Sequence, residues 1–553
     1  MRITNRLQSL PPKQKAQLPY LVLMLSVFAA YASVYQNGFV WDDMTLIVGN
    51  DNLRHWGNFP RLLEKLTLGP YYRPVQGIFY FFIYQVFGLS AAAFHFMNIL
   101  LQAVNTCLVY RLGCRLGFLK RAAFAAALMW GMHPLWIEAV AVAAGTADLL
   151  VVFFFMTGLL VLLPDFKPRK IWLASLFFIL ALGSKESAIV FPALATFTFF
   201  LVSRERLKAA AYLRTWPLWL IGTAYTIGWV MCPALNNFAS YVSQNDVYVE
   251  TYKHVFINRV FTSLATLPDY FRLMFTPADL HVAWWDFPIF TTLWNWQVIT
   301  GAAIVTAALV QIARARGKKD LPLTWGLLWF AAALSPYTGI FKPVDGFLFE
   351  HWIYIPAIGF FLGLSQTAAV RLEALRLKKM PVIAAGLVVL AALLFGTKTF
   401  TQTELLHDQG TMFENIIKYD PESAWARDNL ATFYFDHDQF EKAAAQWHAL
   451  EGLDYSPFIS KDRMLYIHNA LAFIYLNIMS DKNKTGVSYQ EMIDALPSST
   501  HIAEAIEELK TVQELAPDAC CASQFLAGIY YYQGNKDKGD YYKALAEKIL
   551  PQK

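Results

Sequence analysis

The sequence predicts an all-α, polytopic membrane chain that ends in a charged helical domain. Apolar runs of membrane-spanning length recur from residue 18 to residue 398, and none follows between 399 and 553. Composition agrees: 56% of the 553 residues are hydrophobic and the mean hydropathy is +0.36, above the apolar share of ordinary soluble domains.

About eleven runs approach the length needed to cross a bilayer. They are 18–36, 90–110, 122–141, 147–164, 171–184, 187–203, 210–231, 295–312, 322–340, 352–370 and 381–398. Basic clusters separate them at Arg2/Arg6/Lys13/Lys15, Arg111/Arg115/Lys120/Arg121 and Lys167/Arg169/Lys170, then at Arg204/Arg206/Lys208, Arg314/Arg316/Lys318/Lys319 and Arg371/Arg376/Lys378/Lys379. With that many spans every cluster falls on one side, which the excess of Lys and Arg makes the cytoplasm. Two long loops, about 37–89 and about 232–294, then lie on the opposite side, together with 399–553. The stretch 255–275 is apolar but carries Asn258, Arg259, Asp269 and Arg272. It reads as a helix in the membrane interface, because a span there would reverse the later clusters. The first run lacks a small-x-small cleavage site and reads as an anchor.

The net charge of +5 follows from this topology. The basic residues are spread over many loops, so nucleic acid is not a predicted partner. The five cysteines, Cys107, Cys114, Cys232, Cys520 and Cys521, form neither a metal-binding spacing nor a disulfide framework.

Adjacent carboxylates, Asp42-Asp43, stand just past the first run. Ionisable residues at a membrane boundary are functional-site candidates, although a solvated turn explains the pair equally well when taken alone. Turns on the same side carry His133-Pro134 with Glu138, then Asp148, Lys185-Glu186 and Glu350-His351. A core histidine or an interfacial ion pair is the plain structural reading of each. Their convergence on one end of the spans instead describes an apolar cleft with a few polar groups, the usual form of a binding site. Polar groups at one face, not at mid-membrane, argue against a transporter.

The C-terminal segment 399–553 repeats a pattern. Leu430, Ala431, Tyr434, Ala443 and Trp447 hold its packing positions first. Leu471, Ala472 and Tyr475 then begin a unit that Ala505, Leu509 and Pro517 complete after a polar insertion at about 480–500. Leu526, Ala527, Tyr530, Gly539, Ala546 and Pro551 hold them a third time. The spacing matches the tetratricopeptide repeat of roughly 34 residues, with an irregular helical bundle as the alternative. A repeat array offers a concave face to a protein or peptide.

An ordered series of strings runs through the chain: Phe39-Val-Trp-Asp-Asp43 with Asn50, Tyr71-Tyr-Arg-Pro-Val75, and Phe94-His95 with Asn98. His133-Pro134, Glu138-Ala-Val140, Asp148-Leu-Leu150 and Ser184-Lys-Glu186 follow, then Tyr270 to Pro277 and Phe349-Glu350 to Tyr354-Ile-Pro356. With the repeat tail, the series resembles the GT-C superfamily of membrane glycosyltransferases. Within it, the resemblance is to the transmembrane and tetratricopeptide repeat-containing (TMTC) O-mannosyltransferases and their bacterial relatives.

The resemblance implies a polyprenyl-phosphate-linked sugar donor and transfer on the non-cytoplasmic side to an acceptor, a protein or peptide hydroxyl. A lipid or glycan acceptor, or a non-catalytic scaffold, stands as the alternative. It implies the bacterial inner membrane with a periplasmic site, or the endoplasmic reticulum membrane with a lumenal one. The catalytic acid falls on Asp42 or Asp43, which fits chemistry in which a carboxylate takes the acceptor proton. Arg73, Lys185, Arg259 and His351 are the candidates for the departing phosphate, which needs cations. Tyr72, His95, His133, Glu138, Asp148, Glu186, Glu350 and Tyr354 would shape the sugar pocket or brace the cations. A divalent metal, Mg or Mn, beside the acids is left open.

Three departures from the family are specific to this chain. Gly145-Thr146-Ala147-Asp148 stands where relatives carry Gly-Arg-Ala-Asp, Glu350-His351 where they carry Glu-Arg, and Trp136 where they carry His. Histidine in place of arginine makes activity fall as rising pH removes its charge.

Overall fold

The computed structural model describes residues 11–64, 68, 71–203, 213–231, 249–284, 287–315, 320–344, 346–376, 380–450, 453, 461–476, 489–518 and 520–549. Outside the described residues lie Arg2 and Arg6, Arg204/Arg206/Lys208, Arg316/Lys318/Lys319, Lys378/Lys379, Cys232 with the loop stretch 232–248, the insertion residues 480–488, and Pro551. The chain divides into two compact units, Met1–Asn415 and Ile416–Lys553. That division falls later than the change of composition at 398/399. The last apolar helix runs on to Thr403, and its end is tied back to the first unit where Asn37 Nδ2 donates to the Thr403 carbonyl at 2.8 Å.

Among the described residues the helices of the first unit are α1 (Pro12–Ala30), α2 (Pro74–Phe87), α3 (Ala91–Arg115), α4 (Lys120–Gly131), α5 (Ile137–Ala141), α6 (Thr146–Leu162) and α7 (Pro168–Leu182). They continue as α8 (Phe191–Val202), α9 (Trp216–Met231), α10 (Phe256–Phe275), α11 (Trp296–Arg314), α12 (Leu321–Leu334), α13 (Tyr354–Ala374) and α14 (Met380–Thr403). Proline begins α1, α2 and α7, at the position where its missing N–H costs nothing. Asn295 caps α11 by accepting from the Gln297 amide at 2.9 Å.

Among the described residues the apolar runs read from the sequence fall mainly on helices. Among the described residues five stretches are long and apolar enough to cross a membrane: Ala91–Arg115, Ala143–Leu162, Trp296–Arg314, Glu350–Ala374 and Met380–Leu406. This is the signature of an integral membrane protein. Elsewhere turns cut the runs short. The run 122–141 splits into α4, a 3-10 turn at Pro134–Trp136 and α5, because Pro134 cannot continue a helical ladder. The polar-studded stretch 255–275 is the single helix α10. It buries Thr262, Ala265, Thr266, Tyr270 and Leu273 and leaves Phe256, Ile257 and Phe275 exposed.

Leu387, Leu390, Leu393 and Leu394 of α14 stay exposed on the protein, a face suited to lipid. Where helices meet closely, small residues allow it. In α12 and α13 a Cβ on Gly326 would lie 2.6 Å from the Gly359 carbonyl, and one on Gly363 would lie 2.4 Å from the Pro322 carbonyl. The strand pair β1 (Ala283–Trp284) and β2 (Leu348–Phe349) is antiparallel and delivers the chain to Glu350.

The second unit is helical among its described residues. Its helices are α15 (Gln409–Tyr419, which begins before the division), α16 (Ala424–Asp436), α17 (Phe440–His448), α18 (Lys461–Tyr475) and α19 (Tyr489–Ala495). After them come α20 (Ile502–Leu515), α21 (Cys520–Tyr532) and α22 (Lys536–Ile549). The helices pack as pairs, α16 on α17, α18 on α20 across α19, and α21 on α22. Leu430, Ala431, Ala443, Trp447, Leu471, Ala472, Ala505, Leu509, Leu526 and Ala546 are all buried.

Gly326→Ala forces the α12 and α13 backbones apart and should cost about 1–3 kcal/mol, as overpacking does. A lower unfolding midpoint of the detergent-solubilised variant checks this, and an unchanged midpoint counts against the close contact.

Candidate active site

The site grows from the tight turn that follows α1. Asp43 is fully buried and accepts three backbone N–H groups: Val40 at 3.1 Å, Ala143 at 3.3 Å and Ala144 at 2.6 Å. Burial pushes its pKa up to about 7 while those N–H groups pull it down. Trp41 takes the left-handed conformation, φ 52°, which non-glycine residues hold only when the surroundings impose it. The turn is pinned ahead of this point as well. His95 Nε2 donates to the Gly38 carbonyl at 3.1 Å, and the Gly38 amide donates to the His407 carbonyl at 2.8 Å.

Between the strained Trp41 and the anchored Asp43, Asp42 is turned outward and exposed. Among the described residues it has no hydrogen bond or ion pair. The surrounding protein nevertheless raises its pKa by desolvation; Arg73 opposes that rise, Glu138 adds to it, and His351 and Lys185 oppose it. Asp42 is therefore a solvent-reached carboxylate with three basic side chains near enough to act on it.

Each of those basic side chains has its own acid. Arg73 makes a two-pronged contact with Glu186, Nε to Oε2 at 3.0 Å and Nη2 to Oε1 at 2.6 Å, and lies over the Tyr71 ring with 3.9 Å to its centroid. Lys185 Nζ donates to both Asp148 oxygens, at 2.9 and 2.8 Å, and stands 5.9 Å from the Tyr337 ring centroid. His351 Nδ1 lies 2.6 Å from Glu138 Oε2. Such pairing orients these side chains in a poorly solvated place. Gly145 brings two of these elements together: a Cβ there would lie 2.5 Å from the Ala139 carbonyl and 2.6 Å from that of Glu138.

The remaining candidates occupy other positions. Arg259 reaches the Gly339 carbonyl through Nη1 at 3.4 Å and lies near the Phe256 ring. Both His133 nitrogens are spent on the backbone: Nε2 donates to Met274 at 2.9 Å, and Nδ1 accepts from the Leu135 amide at 3.2 Å. The ring stacks on Trp136, which makes His133 a core histidine. Tyr354 is buried and donates to Gln102 Oε1. Glu350 is buried and braces the strand pair, its Oε1 accepting from the His281 amide at 2.9 Å and from Trp284 Nε1 at 3.4 Å. Tyr72 donates to the Leu63 carbonyl at 3.0 Å on an exposed surface.

Tyr337 carries no sequence signal, because residue 337 and Lys185 are brought together only by folding. Tyr71 could have been found two residues before Arg73. Among the described residues no group of three or more His, Cys, Asp or Glu side chains is placed to hold a metal ion.

No family model matches the chain. It is similar to TMTC-family protein O-mannosyl-transferases. The Protein O-mannosyl-transferase F38B6.6 of Caenorhabditis elegans is 23% identical over 388 residues, 64% of this chain and 52% of that protein. The Protein O-mannosyl-transferase TMTC3 of Mus musculus is 24% identical over 464 residues, 76% of this chain and 50% of that protein. For the Protein O-mannosyl-transferase TMTC4 of Homo sapiens the figures are 25% over 412 residues, 62% and 54%. The chain thus spans about half the length of the curated relatives it matches.

Lys185→Met leaves Asp148 charged and buried without its cation, a loss of about 3–5 kcal/mol. Lys185→Met with Asp148→Leu removes the stranded charge and should regain most of that stability. Unfolding midpoints of the single and double variants check this; equal midpoints would show that the pair is not desolvated.

Proposed function

We propose that the chain is a GT-C-type glycosyltransferase. It moves a mannosyl group from a polyprenyl-phosphate donor to a protein hydroxyl, on the non-cytoplasmic side of a membrane crossed about eleven times. Asp42 carries the reading: an exposed carboxylate with no partner of its own among the described residues, held beside three basic side chains that already have theirs. The relatives named as protein O-mannosyl-transferases support the sugar and the kind of acceptor.

In this mechanism the acceptor oxygen attacks the anomeric carbon. The bond from that carbon to the phosphate oxygen breaks, and its electron pair leaves with the polyprenyl phosphate. Asp42 takes the hydroxyl proton as the oxygen becomes bonded to carbon. Arg73, Lys185 and His351 stabilise the negative charge that gathers on the phosphate. Their carboxylate partners hold them in place before the reaction, so little reorganisation is left for the chemical step. The paired helices of the second unit, read as tetratricopeptide repeats, present the acceptor.

Asp42→Asn should lower kcat for mannosyl transfer to a threonine peptide by about 10²- to 10⁴-fold, the usual range for a positioned general base. Full activity in that variant would sink the base assignment, and a wild-type chain that never consumes polyprenyl-phosphate mannose would favour a scaffold.

The pH dependence follows in sign. Asp42 must be ionised to act, so the rate rises with pH through a pKa above the ordinary carboxylate range. Glu138→Gln removes a negative neighbour that raises this pKa, and the acid limb of kcat/KM should move to lower pH. Profiles of wild type and this variant check the limb, and an unmoved acid limb would count against Asp42 as the ionising group.

A further inference from the structure

Three uncharged side chains outside the constellation converge on the segment that holds Asp43. Between α5 and α6 the backbone leaves helical geometry at Val142, φ −83° and ψ 129°, before a 3-10 turn at Ala143–Gly145. Carbonyls freed by such a break need partners where water is scarce. Gln76 Nε2 donates to the Ala144 carbonyl at 3.0 Å, and Tyr80 Oη donates to the Ala143 carbonyl at 3.2 Å. Asn98 Nδ2 donates to the Val142 carbonyl at 3.0 Å, while its Oδ1 accepts from Thr146 Oγ1 at 2.5 Å. A further hydrogen bond, Gln76 Nε2 to Tyr80 Oη at 2.6 Å, joins the first two.

Gln76, Tyr80 and Asn98 are each fully buried. Placing three amide or hydroxyl groups there costs free energy unless each is hydrogen-bonded. The Val142 and Ala143 carbonyls, held by Asn98 and Tyr80, belong to the peptide units whose N–H groups, at Ala143 and Ala144, point at Asp43. The Ala144 carbonyl held by Gln76 belongs to the next unit, whose Gly145 N–H donates back to the Val142 carbonyl at 3.1 Å. The Ala143 and Ala144 N–H groups also stand at the start of the stretch Ala143–Leu162, where unpaired donors and the helix dipole favour a carboxylate. Asp43 thus caps a helix remote in sequence, and its third bond, from Val40, closes the turn that turns Asp42 outward.

We propose that Gln76, Tyr80 and Asn98 are positioning residues for the transfer: they fix the peptide units at 142–144, whose amides hold Asp43 and so aim Asp42 at the acceptor. This rests on Asp42 being the base. None of the three touches the reacting groups, and their effect travels through Asp43.

The test measures kcat and donor KM for wild type, Asp42→Asn, Asp43→Asn, Tyr80→Phe, Gln76→Met, and Tyr80→Phe combined with Asp43→Asn. Polyprenyl-phosphate mannose and a threonine peptide serve as substrates. Tyr80→Phe keeps the ring and removes one hydroxyl, and Gln76→Met keeps the length of the side chain, so both remove the contact with little change of volume. Each should lower kcat roughly 10- to 100-fold, the scale of a misplacement near 1 Å, with donor KM unchanged. Tyr80→Phe should add nothing further in the Asp43→Asn background, because the carboxylate it steers is already gone. Unchanged kcat, a loss carried in KM, or losses that multiply with Asp43→Asn would each overturn the proposal while wild type stays active and Asp42→Asn does not. Transfer by Asp42→Asn at the wild-type rate, or none by wild type, overturns the functional reading and this inference with it.

Discussion

The first unit's site depends on the burial of one carboxylate. Asp43 is out of reach of water, and three backbone N–H groups from two separate segments meet on it. An unpaired carboxylate in that place would be prohibitive, so the turn after α1 and the break before α6 are bound to each other. The positive φ at Trp41 is tolerable because both sides of it are anchored, at Gly38 and at Asp43. Everything proposed for Asp42 follows from that fixed turn.

Around it the charges are organised in pairs, not as a pool. Arg73 with Glu186, Lys185 with Asp148 and His351 with Glu138 are three distinct contacts that bring together chain segments far apart in sequence. Pairing satisfies burial and leaves Asp42 as the acid without a contact of its own among the described residues. This arrangement suits a reaction in which an anion departs: cations held by carboxylates turn toward new negative charge without moving far. Tyr71 and Tyr337 add ring faces to two of the cations, a favourable contact that does not compete for their donors.

How much was legible differs from residue to residue. Arg73, Lys185, Glu186 and Glu138 stood out because charges at the ends of apolar runs are costly and need a reason. The same rule selected Arg259 and His133, and here it had no power to discriminate. Whether a polar side chain faces a cleft or a backbone carbonyl depends on neighbours that sequence spacing does not specify. Gln76 and Tyr80 carried no signal at all, since an amide and a phenol on an apolar helix read as ordinary helix content. The number of helices long enough to span was also hidden, because turns such as Pro134–Trp136 divide runs that look continuous.

The sequence by itself determined what periodicity and length control: an almost wholly helical chain, apolar runs through residue 398, and charged paired helices beyond. Those features follow from local propensity and from the length needed to cross hydrocarbon, and each is written within one segment. Only the tertiary structure decided which of two adjacent aspartates is buried and which is presented. That choice depends on where the amides of Ala143 and Ala144 lie, about a hundred residues away along the chain, and no local rule reaches that far.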